Sequence, residues 1–138
     1  MKASYFCGIG LILFLAIGTG WISGLEYYMD LPSLLVVSGT CIGALVCNFG
    51  LQGSLSAMLT LFSPNRTAVA GFRKSAAKTV MLSGLFGGVF YLIMGVIAAL
   101  SSLSDLSKIG PPLASGFISL LYGSLLALLM VPAYVSEE

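Results

Sequence analysis

Residues 105–132 read DLSKIGPPLASGFISLLYGSLLALLMVP, and this stretch decides the fold. A polar turn at residues 105–108 leads through Gly110, Pro111 and Pro112 into an apolar run of about 20 residues. That is the length an α-helix needs to cross a hydrocarbon core of about 30 Å. Proline is tolerated in the first turn of a helix, where its missing N–H costs nothing. Small residues recur along the run at Ser115, Ser119, Gly123 and Ala127. A step of four places them on one face of the helix. In lipid, a face of small residues is where another helix comes close.

The remaining composition fits the same setting. Hydrophobic residues make up 58% of the chain and charged residues only 8%. A soluble domain carries about 25% charged residues, so no water-soluble surface can be built from so few. The net charge of +1, with no basic run, gives no signal for nucleic acid. Histidine is absent, which removes the commonest general base and the commonest metal ligand. Cys7, Cys41 and Cys47 lie in apolar segments without CxxC spacing and read as small apolar residues. No cofactor and no metal is expected.

Working outward from the opening stretch, four spans are expected at about 4–22, 33–51, 79–100 and 113–132, in one all-α membrane domain. The first follows Lys2. It is longer than a signal-peptide core and lacks a good cleavage site, so it reads as an uncleaved helix. Ala16, Gly20 and Gly24 form a small-residue stripe near its end, and Trp21, Tyr27 and Tyr28 suit an interfacial belt. Pro32 opens the second span, which holds the GxxxG pair Gly39 and Gly43. Residues 52–78 form the one sizeable polar connection. Within it residues 55–62, LSAMLTLF, are apolar enough to lie along the membrane surface, and Ser63-Pro64-Asn65 breaks them. Helix is expected to resume from about Thr67 and run into the third span.

Lysine and arginine set the orientation. Lys2, Arg66, Arg73, Lys74 and Lys78 fall at the N-terminus and in the middle connection, against Lys108 alone on the other side. This bias puts both termini and residues 52–78 in the cytoplasm.

No Asp, Glu, Lys or Arg falls within any of the four spans. Ion-coupled transporters show such residues in the membrane, and small four-helix multidrug transporters need a membrane carboxylate that this chain lacks. There is also no nucleophile–base pair and no phosphate loop, so catalysis is not expected.

Two stretches resemble the MotA/TolQ/ExbB ion-channel family, and its MotA-like stator subunits in particular. One is residues 29–44, MDLPSLLVVSGTCIGA. The other comprises residues 100–105 (LSSLSD), Ile109-Gly110-Pro111, Leu121-Tyr122-Gly123 and Pro132. The resemblance implies a motor or proton-channel subunit of the bacterial inner membrane. Five copies would form a ring around single-span partner helices of the MotB/TolR/ExbD kind, and the partner would carry the membrane aspartate that binds the ion. The third and fourth spans would then line the pore. The chain departs from the family in having only residues 52–78 where MotA-like subunits carry a large cytoplasmic domain. It also has Tyr91 and Leu92 where the third span usually has glycine and threonine, and Leu85 where that span usually opens with proline. In the fourth span one of two usual hydroxyls survives, as Ser119.

On this reading Tyr91, Leu92, Ser115, Ser119 and Gly123 face the pore or a partner helix. The alternative is that the small residues pack between neighbours in the ring, and that Tyr91 caps a packing gap. Pro111 and Pro132 are the conformational candidates, with plain helix termination the other reading of Pro132. Arg66, Arg73, Lys74 and Lys78 form a basic cluster that docks a soluble partner or anionic lipid, or only fixes topology. The alternative function is a non-conducting membrane scaffold of the same architecture.

Overall fold

The structure is a computed structural model that describes residues 2–24, 28–62 and 70–135. Four helices follow one another: α1 Lys2–Ser23, α2 Leu31–Phe62, α3 Ala70–Ser101 and α4 Gly110–Val135, with a 3₁₀ turn at Leu106–Lys108 before α4. The described residues contain no strand. Among the described residues three stretches, where four spans were expected, are long and apolar enough to cross a membrane: Leu31–Leu61, Gly71–Ser101 and Leu106–Val135.

Local chemistry sets the helix ends. Gly24 follows α1 with φ of +89°, the left-handed conformation that closes helices. Asp30 caps α2: its carboxylate accepts from the Ser33 N–H (3.3 Å) and its carbonyl from the Leu34 N–H (3.1 Å). Asp105 caps the 3₁₀ turn, accepting from the Ser107 N–H (3.2 Å) and hydroxyl (2.6 Å), while Lys108 Nζ lies 3.1 Å from its other oxygen. Pro111 and Pro132 behave differently. Pro111 sits in the first turn of α4, where its missing N–H is harmless. Pro132 sits inside the last turn of α4, which continues to Val135.

α2 does not stop near residue 51. It runs on to Phe62 through a kink at Gly50 (φ 72°, ψ 175°). That backbone region is essentially restricted to glycine, and a Cβ at Gly50 would meet nothing within 4 Å. Glycine is needed here for its backbone and not for space. The kink divides α2 into an arm of residues 31–49 and an arm of residues 51–62. The second arm leaves Leu55, Met58 and Leu59 exposed on one face and turns the other inward. Its Ala57 and Leu61 are buried in a core with Ala76, Ala77, Val80, Met130 and Ala133. Phe49 and Phe72 close this core with an edge-to-face contact, ring centroids 4.9 Å apart. The expected polar connection is therefore helical over residues 52–62 and 70–78 and packs as part of the bundle. Its remaining residues, 63–69, lie outside the described part of the chain.

α3 and α4 form the central antiparallel hairpin. Glycines meet across it in inverse order. A Cβ on Gly88 would come to 2.8 Å from the Ser119 carbonyl oxygen, and one on Gly84 to 3.3 Å from that of Gly123. One on Gly116 would come to 3.1 Å from the Leu92 Cα. Cβ atoms on Gly123 and Gly95 would run into the carbonyl oxygens of Gly84 and Pro112. α2 packs on a neighbouring face of α3, with Thr40 against Gly87 and Asn48 Nδ2 donating to Thr79 Oγ1 (3.1 Å). It also meets α4 at its start, where the Ser33 hydroxyl lies within donating distance of both the Ser115 carbonyl (2.8 Å) and the Asp30 carboxylate. α1 touches α4 only lightly, and its Leu11, Phe14, Leu15 and Trp21 are exposed.

Candidate functional site

The small-residue face of α4 is occupied by the chain's own α3. Ser119 is fully buried, and its hydroxyl lies within donating distance of two carbonyls, Gly116 (2.7 Å) on its own helix and Gly88 (3.1 Å) on α3. Gly123 and Ala127 are buried on the same seam. Within the single chain Ser119 and Gly123 thus face α3. The cause is geometric: both residues sit where two backbones approach too closely for a larger side chain.

The other candidates are scattered. Ser115 is half-buried and offers its carbonyl to Ser33. Leu92 is half-buried over Gly116, and Tyr91 is half-buried beside it. Pro111 is exposed. The basic residues do not form one patch. Arg73 is buried, Lys74 Nζ sits 5.0 Å above the Tyr134 ring in a cation–π contact, and Lys78 is exposed. Arg66 lies outside the described residues.

The faces that α3 and α4 turn away from one another are apolar. Phe86, Phe90 and Ile97 of α3 and Phe117, Leu121 and Leu128 of α4 are exposed in the single chain. No Asp, Glu, Lys or Arg lies on α3 after Lys78 or anywhere on α4. Such faces can meet lipid or other apolar helices, and they offer no group that binds and releases an ion.

Sequence reasoning missed three features. Ser33 ties the start of α2 to α4 through the Ser115 carbonyl, and the capping spacing of Asp30 and Ser33 was its available signal. The Tyr122 hydroxyl donates to the Tyr28 carbonyl, which fastens the connection after α1 to α4. No local pattern marks that bond. The Gly50 kink had only a lone glycine as its signal.

A chain of long, apolar, glycine-seamed helices with no charge in their middles is a multi-pass membrane protein. A family model described as the MotA/TolQ/ExbB proton channel family matches residues 42–136, well over half of the chain, and the chain belongs to that family. The matched part takes in most of α2 and all of α3 and α4, including the second of the two resembling stretches. Neither a curated protein nor a solved structure matches the chain.

Proposed function

We propose that this chain is the ring-forming subunit of an ion-driven membrane motor or channel complex, and that a partner supplies the ion-binding group. Membership of the proton channel family supports the first part. The single observation that carries the second is the lack of any Asp, Glu, Lys or Arg on α4 and on α3 beyond Lys78. A proton path across about 30 Å of hydrocarbon needs a titratable or hydrated group, so that group must come from outside the chain. A single-span partner of the MotB/TolR/ExbD kind, bearing a membrane aspartate, would provide it at the centre of a homo-oligomer, with five the number the resemblance implies. On this reading α1, with 22 residues, crosses the bilayer as the fourth span. Both termini and the end of the bundle bearing Arg73, Lys74 and Lys78 lie in the cytoplasm of a bacterial inner membrane.

A second reading is favoured by a specific observation. The one hydroxyl expected to serve a path, Ser119, is committed to backbone carbonyls within the α3–α4 seam. A ring of these chains then presents largely apolar walls, which suits a scaffold that keeps the architecture without conducting.

Proton and sodium flux into liposomes decides between them. The chain alone is expected to be ion-tight, and flux from it would refute a partner-carried mechanism. Flux is expected only with the co-expressed single-span partner. Ser119→Ala is expected to leave that flux unchanged within about two-fold, since the hydroxyl is internal. A complex that conducts nothing under any gradient establishes the scaffold.

A further inference from the structure

A cleft of about 340 Å³ opens on the outer side of the α2–α3 pair, away from the α3–α4 seam. Its mouth is polar: Lys78, Ser75 and Thr79 from α3, and Asn48 from α2. Further along, the lining is Ala44, Leu82, Ser83 and Phe86, with the Ser83 hydroxyl donating back to the Thr79 carbonyl (2.7 Å) and Leu82 and Phe86 exposed. The charged end and the two large apolar side chains are separated along the helix axis. Leu82 and Phe86 lie one and two turns beyond Lys78, or about 6 and 12 Å further along α3. Lys78 is also the last charged residue before the uncharged remainder of α3, which puts the mouth at the membrane edge, where long cationic side chains reach the headgroup level.

The donors at the mouth are uncommitted. Among the described residues Lys78 has no acidic partner, and it is exposed. The Ser75 side chain makes no hydrogen bond among the described residues, and Asn48 Nδ2 spends one hydrogen on Thr79 Oγ1, leaving the second. The Thr79 hydroxyl itself donates to the Ser75 carbonyl (3.0 Å) and so holds Asn48 in place. An ammonium, a hydroxyl and an amide N–H thus line one cleft at headgroup height, with exposed leucine and phenylalanine further along α3.

We infer that this cleft binds an anionic phospholipid. Its phosphate is held by Lys78, Ser75 and Asn48, and an acyl chain lies over Leu82 and Phe86. Charge complementarity selects an anionic over a zwitterionic headgroup, and the exposed Leu82 and Phe86 beside the polar mouth match a lipid better than a soluble anion. The inference rests on the chain's crossing a membrane and is independent of whether the complex conducts.

Native mass spectrometry of the detergent-purified protein, loaded with equal amounts of dioleoyl phosphatidylglycerol and dioleoyl phosphatidylcholine, tests it. The wild type is expected to retain the anionic lipid in about five-fold preference, the scale of one lysine acting at a membrane surface. Lys78→Gln should abolish the preference. Lys108→Gln makes the same change in net charge at the far end of the bundle and should keep it. A benzophenone side chain in place of Phe86 should give a lipid adduct on illumination. No headgroup preference in the wild type, equal loss in Lys108→Gln, or a chain-to-chain adduct from position 86 would each overturn the assignment. The last would show a second copy filling the cleft.

Discussion

Ser119 owes its position to size as much as to its hydroxyl. At this point of the seam a Cβ is allowed on α4 only because α3 offers Gly88, and the hydroxyl then finds carbonyls already within reach. Such a bond between membrane helices adds on the order of 0.6 kcal/mol, so packing accounts for more of the seam than hydrogen bonding does. Asp105 shows a different economy. Its carboxyl is held below the ordinary range, first by the Ser107 hydroxyl, then by Lys108 and the Ser107 N–H. A lowered carboxylate pKa means that the capped turn is favoured above the ordinary value of about 3.9 and is lost as the pH falls through the lowered one. An NMR titration of the Asp105 carboxyl should give a midpoint below about 3.9, and Ser107→Ala should raise it. A wild-type midpoint at or above 3.9 would show that the turn does not hold in solution.

Among the elements, α2 is the one whose shape departs most from its sequence pattern. Its apolar character continues past residue 51, so the chain has no local reason to stop being helical there. Gly50 changes the direction of the helix without ending it, and the second arm buries Ala57 and Leu61 against α3 and α4. Gly50→Ala imposes a side chain on a backbone conformation that costs about 1–3 kcal/mol for residues other than glycine. The expected outcome is a lower thermal midpoint at a fixed scan rate. Faster labelling of an Ala57→Cys reporter should accompany it as the arm lifts from its core. Unchanged labelling would mean that the kink is not what holds the arm down.

For the whole molecule, the question is which small-residue faces the chain uses internally and which it leaves for assembly. Gly123 is internal: a side chain there meets the Gly84 carbonyl. Gly123→Leu should therefore disrupt the α3–α4 hairpin itself, by more than the 1–3 kcal/mol typical of overpacking, and show up as loss of folded protein. Gly39 and Gly43 are exposed on α2, and a Cβ on either meets nothing within 4 Å. Gly39→Leu should leave a folded chain, yet lower the subunit count in native mass spectrometry where that GxxxG face packs against a neighbour. A Gly39→Leu protein with unchanged subunit count would remove this face from the assembly interface.

Residue chemistry alone was enough to make this a helical membrane protein, and a resemblance at the residues around Asp105, Gly110 and Tyr122 pointed to the MotA/TolQ/ExbB family. Low charge, apolar runs of bilayer length and the residues around Asp105, Gly110 and Tyr122 are local, and a bilayer imposes helix on any such run because unpaired backbone groups cannot be left in hydrocarbon. Tertiary structure alone decided which helix meets which small-residue face. A glycine stripe says that something comes close, but it is the same stripe whether the neighbour is α3, another copy or a partner. The short connection between α3 and α4 keeps α3 at hand, so α3 takes the Ser119–Gly123 face and leaves Gly39 and Gly43 open. The kink at Gly50 was equally hidden, because a lone glycine in an apolar run reads the same in a straight helix as at a bend. Only the burial of Ala57 and Leu61 against distant α3 and α4 distinguishes the two.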